Sequence, residues 1–300
     1  MTAQLKNIVL VGATGNIGSP VLEQLRAAEP KFNITVFSRA SSTATFPSDV
    51  HVVKVDYDNL ASLTQALQGQ DAIVSTIGAA ALDNAQKNLV AAAAAAGIKL
   101  FVPSEFGVDT LHPASVEVKV FGAKVQLVQE LEKAKVPYAV IATGPFLDWG
   151  LANGFLGIDI KNKSASLIND GNARVSGTSL ASVGKAVVAV LQHPDKAVNR
   201  RIAVSDTTFT QNELLAELQR QVGGDTGAWT VSHTPLEQVK QEGFAKLSDP
   251  SHIGVIYLIK AAIFSGTEAS YWVAGKDHSA EFGLKQRSLK DIVAQVVSQQ

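Results

Sequence analysis

Runs of β-branched and other apolar residues alternate with stretches of helical periodicity, and this alternation constrains the fold more than any other feature. The runs cover residues 7–12, 34–38, 51–56, 72–78, 100–104 and 138–144. Strand, helix and strand in repeated order predict a parallel sheet, because right-handed crossovers place the connecting helices on both of its faces. The fold class is therefore predicted to be α/β, with a doubly wound parallel sheet.

A glycine-rich turn follows the first predicted strand. Its sequence is Gly12-Ala13-Thr14-Gly15-Asn16-Ile17-Gly18, and an amphipathic helical pattern begins directly after it. Glycines permit a tight turn and a close approach of the backbone to a pyrophosphate, which then meets the unpaired N–H groups of the helix N-terminus. We therefore predict a Rossmann-type dinucleotide site that includes Gly12, Thr14, Gly15, Asn16, Ile17 and Gly18. A purely structural turn is the alternative.

The second predicted strand ends in Ser38-Arg39, where NAD sites typically carry an acidic residue. Asp or Glu at that place accepts a hydrogen bond from the ribose 2′-hydroxyl. A guanidinium instead binds a 2′-phosphate through charge-assisted hydrogen bonds. Ser38 and Arg39 therefore favour NADP(H) as the cofactor, and an ordinary surface role for Arg39 is the alternative.

The ends of the next two strands supply further candidates for cofactor binding. Asp56 ends the third predicted strand, and Thr76 and Gly78 end the fourth. In an open α/β sheet the ligand lies in the crevice beyond the carboxyl ends of the strands. We expect Asp56 near the adenine and Thr76 with Gly78 near the ribose or nicotinamide, but Asp56 fits a structural turn equally well.

The strict alternation weakens after Gly144, where glycines mix with large apolar residues. We therefore predict an NADP-binding Rossmann domain over residues 1–150 and a smaller, mainly substrate-binding lobe over residues 151–300. A helical period returns at residues 180–192, so a segment of about 175–205 is expected to return to the first domain.

Composition argues against several other classes of protein. The chain has 26 Lys and Arg against 27 Asp and Glu, and it has no cysteine. Balanced charge gives no general attraction to nucleic acid or to an anionic membrane, and without cysteine there are no disulfides or thiolate metal sites. The six histidines are scattered and form no close metal-ligand pair, so no metal site is predicted.

No uninterrupted apolar stretch reaches the roughly 20 residues that a membrane helix needs. The first residues lead directly into a strand without the three regions of a signal peptide. We therefore expect a cytoplasmic protein with no membrane span.

Several segments resemble the isoflavone reductase-like, NmrA-like branch of the atypical short-chain dehydrogenases, which includes phenylcoumaran benzylic ether and pinoresinol-lariciresinol reductases. The shared residues are GATGNIG, Ser38-Arg39, Gln86, AAAAGIKLFVPSEFGVD at 93–109, Phe121-Gly122-Ala123-Lys124, Val136-Pro137-Tyr138, Asn199 and TFTQNEL. The resemblance covers most of the chain and is strongest before residue 150. Much of residues 225–285 departs from the plant pattern, so a plant substrate is not transferred to this chain.

The resemblance implies that Lys124 is the general acid/base and lies beside the nicotinamide, with Lys119 as the rival lysine. A lysine can exchange a proton with the substrate if burial or a nearby positive charge lowers its pKa. No tyrosine of the chain has a lysine four residues later, which excludes the usual Tyr-x-x-x-Lys pair. Glu105 is expected either to order its loop or to orient the substrate or Lys124.

The expected substrate contacts are Phe106, His112 and Phe146. The resemblance also implies that Phe146 lies against the nicotinamide ring. For His112, a purely structural role is the alternative.

These observations predict an NADPH-dependent reductase of a small aromatic or conjugated oxygenated metabolite. The alternative is an NmrA-like, dinucleotide-sensing regulatory protein without catalysis, and a third option is isomerase chemistry with a retained cofactor. The family further suggests a homodimer.

Overall fold

A parallel β-sheet organises the first half of the chain. The computed structural model describes residues 4–78, 84–223 and 229–299. The first strands are β1 (Asn7–Val11), β2 (Asn33–Arg39), β3 (His51–Val55), β4 (Ala72–Ser75) and β5 (Leu100–Val102). They are parallel and lie in the order β3-β2-β1-β4-β5. The predicted α/β class with a parallel sheet is confirmed.

The sheet continues beyond β5. Strand β6 (Ala139–Ala142) pairs in parallel with β10 (Arg200–Ala203), and a parallel bridge between Phe101 and Tyr138 connects β5 with the start of β6. The resulting order β3-β2-β1-β4-β5-β6-β10 has the strand arrangement of the Rossmann fold. Because the order reverses between β1 and β4, the ligand crevice is expected at the carboxyl ends of these two strands.

Alternate residues of β1 face opposite sides of the sheet. Ile8 and Leu10 belong to one buried cluster, whereas Val9 and Val11 belong to another. The first cluster is covered by α1 (Gly18–Ala27) and α7 (Leu180–Gln192), and the second by α2 (Leu60–Ala66), α3 (Asn84–Ala96) and α5 (Gly122–Lys133). Burial on both faces explains why β1 is apolar from Ile8 to Val11, without the alternation of a half-exposed strand.

A further buried core lies mainly in the second half of the chain. Its strands are β7 (Ile158–Asp159), β8 (Ser164–Ile168) and β12 (Thr230–Thr234), and β9 (Val175–Gly177) pairs separately with β11 (Thr207–Phe209). The remaining helices are α4 (Pro113–Glu117), α6 (Leu147–Ala152), α8 (Pro194–Ala197), α9 (Gln211–Val222), α10 (Leu236–Ala245), α11 (Ile253–Ile263) and α12 (Leu289–Val297). We call the part built on this core the C-terminal lobe.

The chain crosses between the two cores more than once. Helix α7 packs on α1 and β10 pairs with β6, although both follow β7 to β9 in the sequence. The predicted domain limits at residues 150 and 175–205 stay predictions. Within the described ranges, no helix is both long and apolar enough to cross a membrane.

Candidate active site

The glycine turn between β1 and α1 is fixed by contacts that leave no room for side chains. Gly12 has a φ of 83°, and a Cβ atom at this position would lie 2.9 Å from backbone and side-chain atoms of Thr76. A Cβ atom on Gly18 would lie only 2.0 Å from the carbonyl oxygen of Gly12. Glycine is therefore required at both positions. The turn presents the N-terminus of α1 at the sheet edge, which is the arrangement that binds a pyrophosphate.

A cavity of about 300 Å³ lies beside this turn, and we call it the cofactor cavity. Predicted cofactor residues from three strand ends line it: Gly12, Thr14, Gly15, Ser38, Arg39, Thr76 and Gly78. The structure thus brings together residues that are up to 66 positions apart in the sequence, counted from Gly12 to Gly78. Asn16 is exposed and Ile17 precedes α1 against the core, and neither lines the cavity formed by the described residues.

Asp56 lies at the end of β3 but outside the walls of the cofactor cavity. Its carboxylate accepts a hydrogen bond from the N–H of Asp58 at 3.0 Å, and its carbonyl accepts one from the N–H of Asn59 at 3.2 Å. These bonds belong to a structural turn. The contact of Asp56 with adenine stays a prediction.

Lys54 is a site residue that the sequence analysis missed. It stands opposite Ser38 in the register of β2 and β3. Its ammonium donates to the carbonyl oxygen of Ser42 at 2.6 Å and to the hydroxyl of Ser38 at 3.3 Å. Lys54 thereby fixes the loop that follows Arg39 and adds a positive charge beside Ser38. The available signal was a charged residue among the valines of the strand 51–55.

Two aromatic residues in the cavity wall were also missed. Phe46 and Tyr57 line the cofactor cavity on the side of β2 and β3. The hydroxyl of Tyr57 lies 3.5 Å from the carbonyl oxygen of Phe37, and burial raises the pKa of Tyr57. Tyr57 is therefore a neutral wall residue at physiological pH.

Lys124 lies in the first turn of α5 and is half-buried. Its ammonium donates to the carbonyl oxygen of Glu105 at 2.7 Å. Burial lowers the pKa of Lys124, and the negative charge of Glu105 acts in the opposite direction, with burial the larger effect. A lowered pKa is what a lysine needs to exchange protons near neutral pH. The rival Lys119 is exposed.

The loop that accepts the hydrogen bond from Lys124 is held in place by buried contacts of Glu105. Glu105 is only 2% exposed, and its Oε2 accepts a hydrogen bond from the hydroxyl of Thr110 at 2.8 Å. Arg201 of β10 lies 3.6 Å from the same oxygen and donates to Thr110 at 3.1 Å. Glu105 therefore orders its loop through its side chain and orients Lys124 through its backbone. Arg201 is a further residue that the sequence analysis missed.

The three expected substrate contacts have structural partners of their own. Phe106 is buried in the core of the sheet, and the Nδ1 of His112 accepts a hydrogen bond from the N–H of Ala114 at 3.2 Å at the start of α4. Phe146 is half-buried, precedes α6 and forms a parallel bridge with Thr178. Their contacts with substrate stay predictions.

Comparison with known proteins gives consistent results. The model of the NmrA-like family matches residues 4–249. The oxidoreductase aprR of Aspergillus flavus is 30% identical over 298 residues, which cover 97% of this chain and 98% of that protein. Phenylcoumaran benzylic ether reductase PT1 of Pinus taeda is 29% identical over 232 residues, covering 72% and 74%. The binary complex of leucoanthocyanidin reductase with NADPH from Vitis vinifera has a TM-score of 0.79 at 18% identity, covering 97% and 99%.

The strand order and the glycine turn define a Rossmann-type protein, and a relative of nearly equal length is an oxidoreductase. The class of protein is therefore an oxidoreductase with a Rossmann fold. The chain belongs to the NmrA-like family, and its resemblance to isoflavone reductase-like proteins is confirmed. These relatives do not favour the alternative of a regulatory protein without catalysis.

Proposed function

We propose that the protein is an NADPH-dependent reductase of a small aromatic or conjugated oxygenated molecule, with Lys124 as the proton donor. One observation carries the proposal: the half-buried Lys124 donates a hydrogen bond to a loop that also contacts a wall residue of the cofactor cavity. The hydroxyl of Ser104 donates to the carbonyl oxygen of Ile77, a wall residue, at 2.8 Å. Glu105 follows Ser104 directly, and its carbonyl oxygen accepts a hydrogen bond from the ammonium of Lys124.

The residues of the cofactor cavity fit NADPH. Gly12 and Gly18 pack closely against Thr76 and against the backbone of the turn, and this packing holds the N-terminus of α1 at the sheet edge, where it can bind a pyrophosphate. Arg39 lines the cavity and Lys54 donates to the hydroxyl of the wall residue Ser38, so two positive charges are available for a 2′-phosphate. When bound, NADPH supplies a hydride from its nicotinamide.

Lys124 holds and releases the proton of the reaction. In its ammonium form it donates one hydrogen to the carbonyl oxygen of Glu105, which leaves its other hydrogens for the substrate. Proton transfer from the Nζ of Lys124 to a substrate oxygen neutralises the negative charge that reduction produces there. Partial burial weakens the hold of the amine on its proton and so assists this transfer.

The aromatic nature of the substrate is supported by α6 and by the relatives. Trp149 lies one turn after Phe146, and its ring packs against that of Phe155 with a centroid separation of 5.5 Å. These half-buried rings form an aromatic pair in the segment that follows β6. The name of the Pinus taeda relative describes an aromatic ether as the substrate of that reductase. An aromatic or conjugated substrate fits both observations.

Substitution of Lys124 by methionine tests the proposed chemistry. Wild-type protein is expected to oxidise NADPH with at least one member of a panel of phenolic ethers, enones and quinones. Lys124→Met should lower kcat by about 10²-fold to 10⁴-fold, the usual contribution of a general acid, while the Kd for NADPH stays unchanged. Lys119→Met is the matched control and should retain full activity. Full activity of Lys124→Met would show that another group donates the proton.

A further inference from the structure

A second cavity, of about 160 Å³, lies in the C-terminal lobe beside α10, α11 and β8. Leu156, Ile168, Val239 and Phe264 contribute apolar walls. As formed by the described residues, it shares no wall residue with the cofactor cavity. Its volume is close to that of an apolar protein cavity of about 150 Å³ that binds benzene. The cavity therefore suits a single small ring with one substituent, which is well below the size of an NADPH molecule.

Lys260, in the last turn of α11, is the cation of this cavity. The residue is half-buried, and burial lowers the pKa of its amine. Its Nζ lies 5.5 Å from the centroid of the Phe155 ring. Among the hydrogen bonds and ion pairs of the described ranges, none involves the side chain of Lys260. A partly desolvated ammonium with only an aromatic face beside it gains most from an anionic partner.

The walls around Lys260 are held in place by Gln211, which is 2% exposed. The amide nitrogen of Gln211 donates to the carbonyl oxygen of Leu156 at 2.9 Å, and its amide oxygen accepts from the N–H of Ile168 at 2.8 Å. The side chain thus joins two segments on one side of the cavity. Such a fixed wall preserves the shape of the cavity when it is empty, which reduces the ordering that a ligand must impose.

The acidic residue in the wall has partners of its own. Glu242 accepts a hydrogen bond from Gln238 at 3.0 Å and forms an ion pair with Lys246 at 3.6 Å. The wall residues Ser166, Thr234 and Tyr257 contribute hydroxyl groups. The charge of Lys260 is therefore the uncompensated charge among the described wall residues.

We infer that this cavity binds a small aromatic monocarboxylate, with its carboxylate on the ammonium of Lys260 and its ring against the apolar walls. One cation matches one carboxylate, the apolar walls match a ring, and the volume limits the ligand to about that size. The site is separate from the proposed reductase chemistry, since it needs neither NADPH nor Lys124.

Calorimetric titration of the full chain with benzoate tests the site, and benzamide serves as the neutral probe of the same shape. Wild-type protein should bind benzoate at a ratio of one to one and benzamide at least tenfold more weakly, because benzamide lacks the negative charge that attracts the ammonium. Lys260→Met should weaken benzoate binding at least tenfold, whereas Lys260→Arg should retain most of it. Lys185→Met removes an exposed cation of α7 that is not part of the cavity wall, and it should leave the affinity within about twofold.

Three results would overturn the inference: no saturable heat with wild-type protein, equal binding of benzoate and benzamide, or unchanged binding by Lys260→Met. Circular dichroism shows whether each variant is folded, and Lys260→Arg keeps the test valid if Lys260→Met does not fold. Lys124→Met should bind benzoate like wild-type protein. This last measurement separates a failure of the carboxylate site from a failure of the proposed reductase function.

Discussion

The cofactor cavity and the cavity at Lys260 are constructed in different ways. The cofactor cavity depends on one short turn. Because Gly12 and Gly18 have no side chain, they pack closely against Thr76 and against the backbone of the turn. The cavity at Lys260 depends on a side chain, Gln211, that joins Leu156 to Ile168 across distant parts of the chain. The first site is therefore sensitive to any added atom, and the second is sensitive to the loss of particular polar atoms.

Gly18→Ala should have the largest effect because its Cβ would lie 2.0 Å from the carbonyl oxygen of Gly12. The backbone must move to relieve this overlap, and we expect the free energy of unfolding to fall by about 3 kcal/mol or more. The affinity for NADPH should fall at least about a hundredfold, since the turn and the N-terminus of α1 are displaced. Denaturant titration and fluorescence titration with NADPH measure the two effects.

Gly122→Ala is the control for this substitution. Gly122 also begins a helix, but a Cβ there meets no heavy atom within 4 Å. It should leave stability and NADPH affinity close to wild-type values. If Gly18→Ala behaves like Gly122→Ala, the close packing of the turn does not determine cofactor binding.

Gln211→Leu should have the second largest effect, and the effect should be confined to the C-terminal lobe. The substitution leaves the carbonyl oxygen of Leu156 and the N–H of Ile168 without their partner in a buried environment. We expect the free energy of unfolding to fall by about 2 kcal/mol, with unchanged affinity for NADPH. Gln238→Leu, at an exposed position of the same cavity, should change stability by less than about 0.5 kcal/mol. Equal losses in the two variants would show that Gln211 does not hold the wall.

The difference between a local turn and contacts between distant side chains also explains which parts of the molecule could be predicted from the sequence. The strand runs at 7–12 and 34–38 match β1 and β2 closely, because buried parallel strands are apolar over their whole length. The run at 100–104 continues two residues beyond β5. Those residues form the buried loop whose next member, Glu105, holds Lys124, so burial extends the pattern past the end of the strand.

Residues that act through tertiary contacts could not be found in this way. Arg201 reaches Glu105 from a strand that follows it by 96 positions, and Lys54 reaches Ser42 because of the register between β2 and β3. Lys260 and Gln211 line the same cavity although they are 49 positions apart in the sequence. No local spacing connects such pairs, whereas the glycine turn is complete within residues 12–18.

Arg39→Ala tests the contribution of a side chain to cofactor binding, whereas Gly18→Ala tests the contribution of the backbone. Loss of a charge-assisted contact to the 2′-phosphate should weaken NADPH binding about tenfold and leave NADH binding nearly unchanged. Lys54→Met should give a smaller change in the same direction, since its ammonium is already bonded to Ser42 and Ser38. The ratio of the Kd values for NADH and NADPH measures both effects. An unchanged ratio in Arg39→Ala would contradict the assignment of Arg39 to the 2′-phosphate.

Glu105→Gln should have the smallest effect, and it should appear in the pH dependence of turnover. The charge of Glu105 raises the pKa of Lys124 against the larger effect of burial. Because the ammonium is the proposed proton donor, the rate of reduction falls as the pH rises through the pKa of Lys124. Removal of the negative charge lowers this pKa further, so the descending limb of the kcat–pH profile should move to lower pH.

Asp109→Asn distinguishes this effect from a general loss of negative charge. Asp109 lies 3.6 Å from Arg201, the same distance as Glu105, but its side chain is 39% exposed and solvent screens its charge. The amide of Glu105→Gln can still accept a hydrogen bond from Thr110, so the loop should remain ordered while the charge is lost. If the descending limb of the kcat–pH profile moves in Glu105→Gln but not in Asp109→Asn, the shift results from the charge beside Lys124. A shift to higher pH in Glu105→Gln would mean that Lys124 is not the group that titrates.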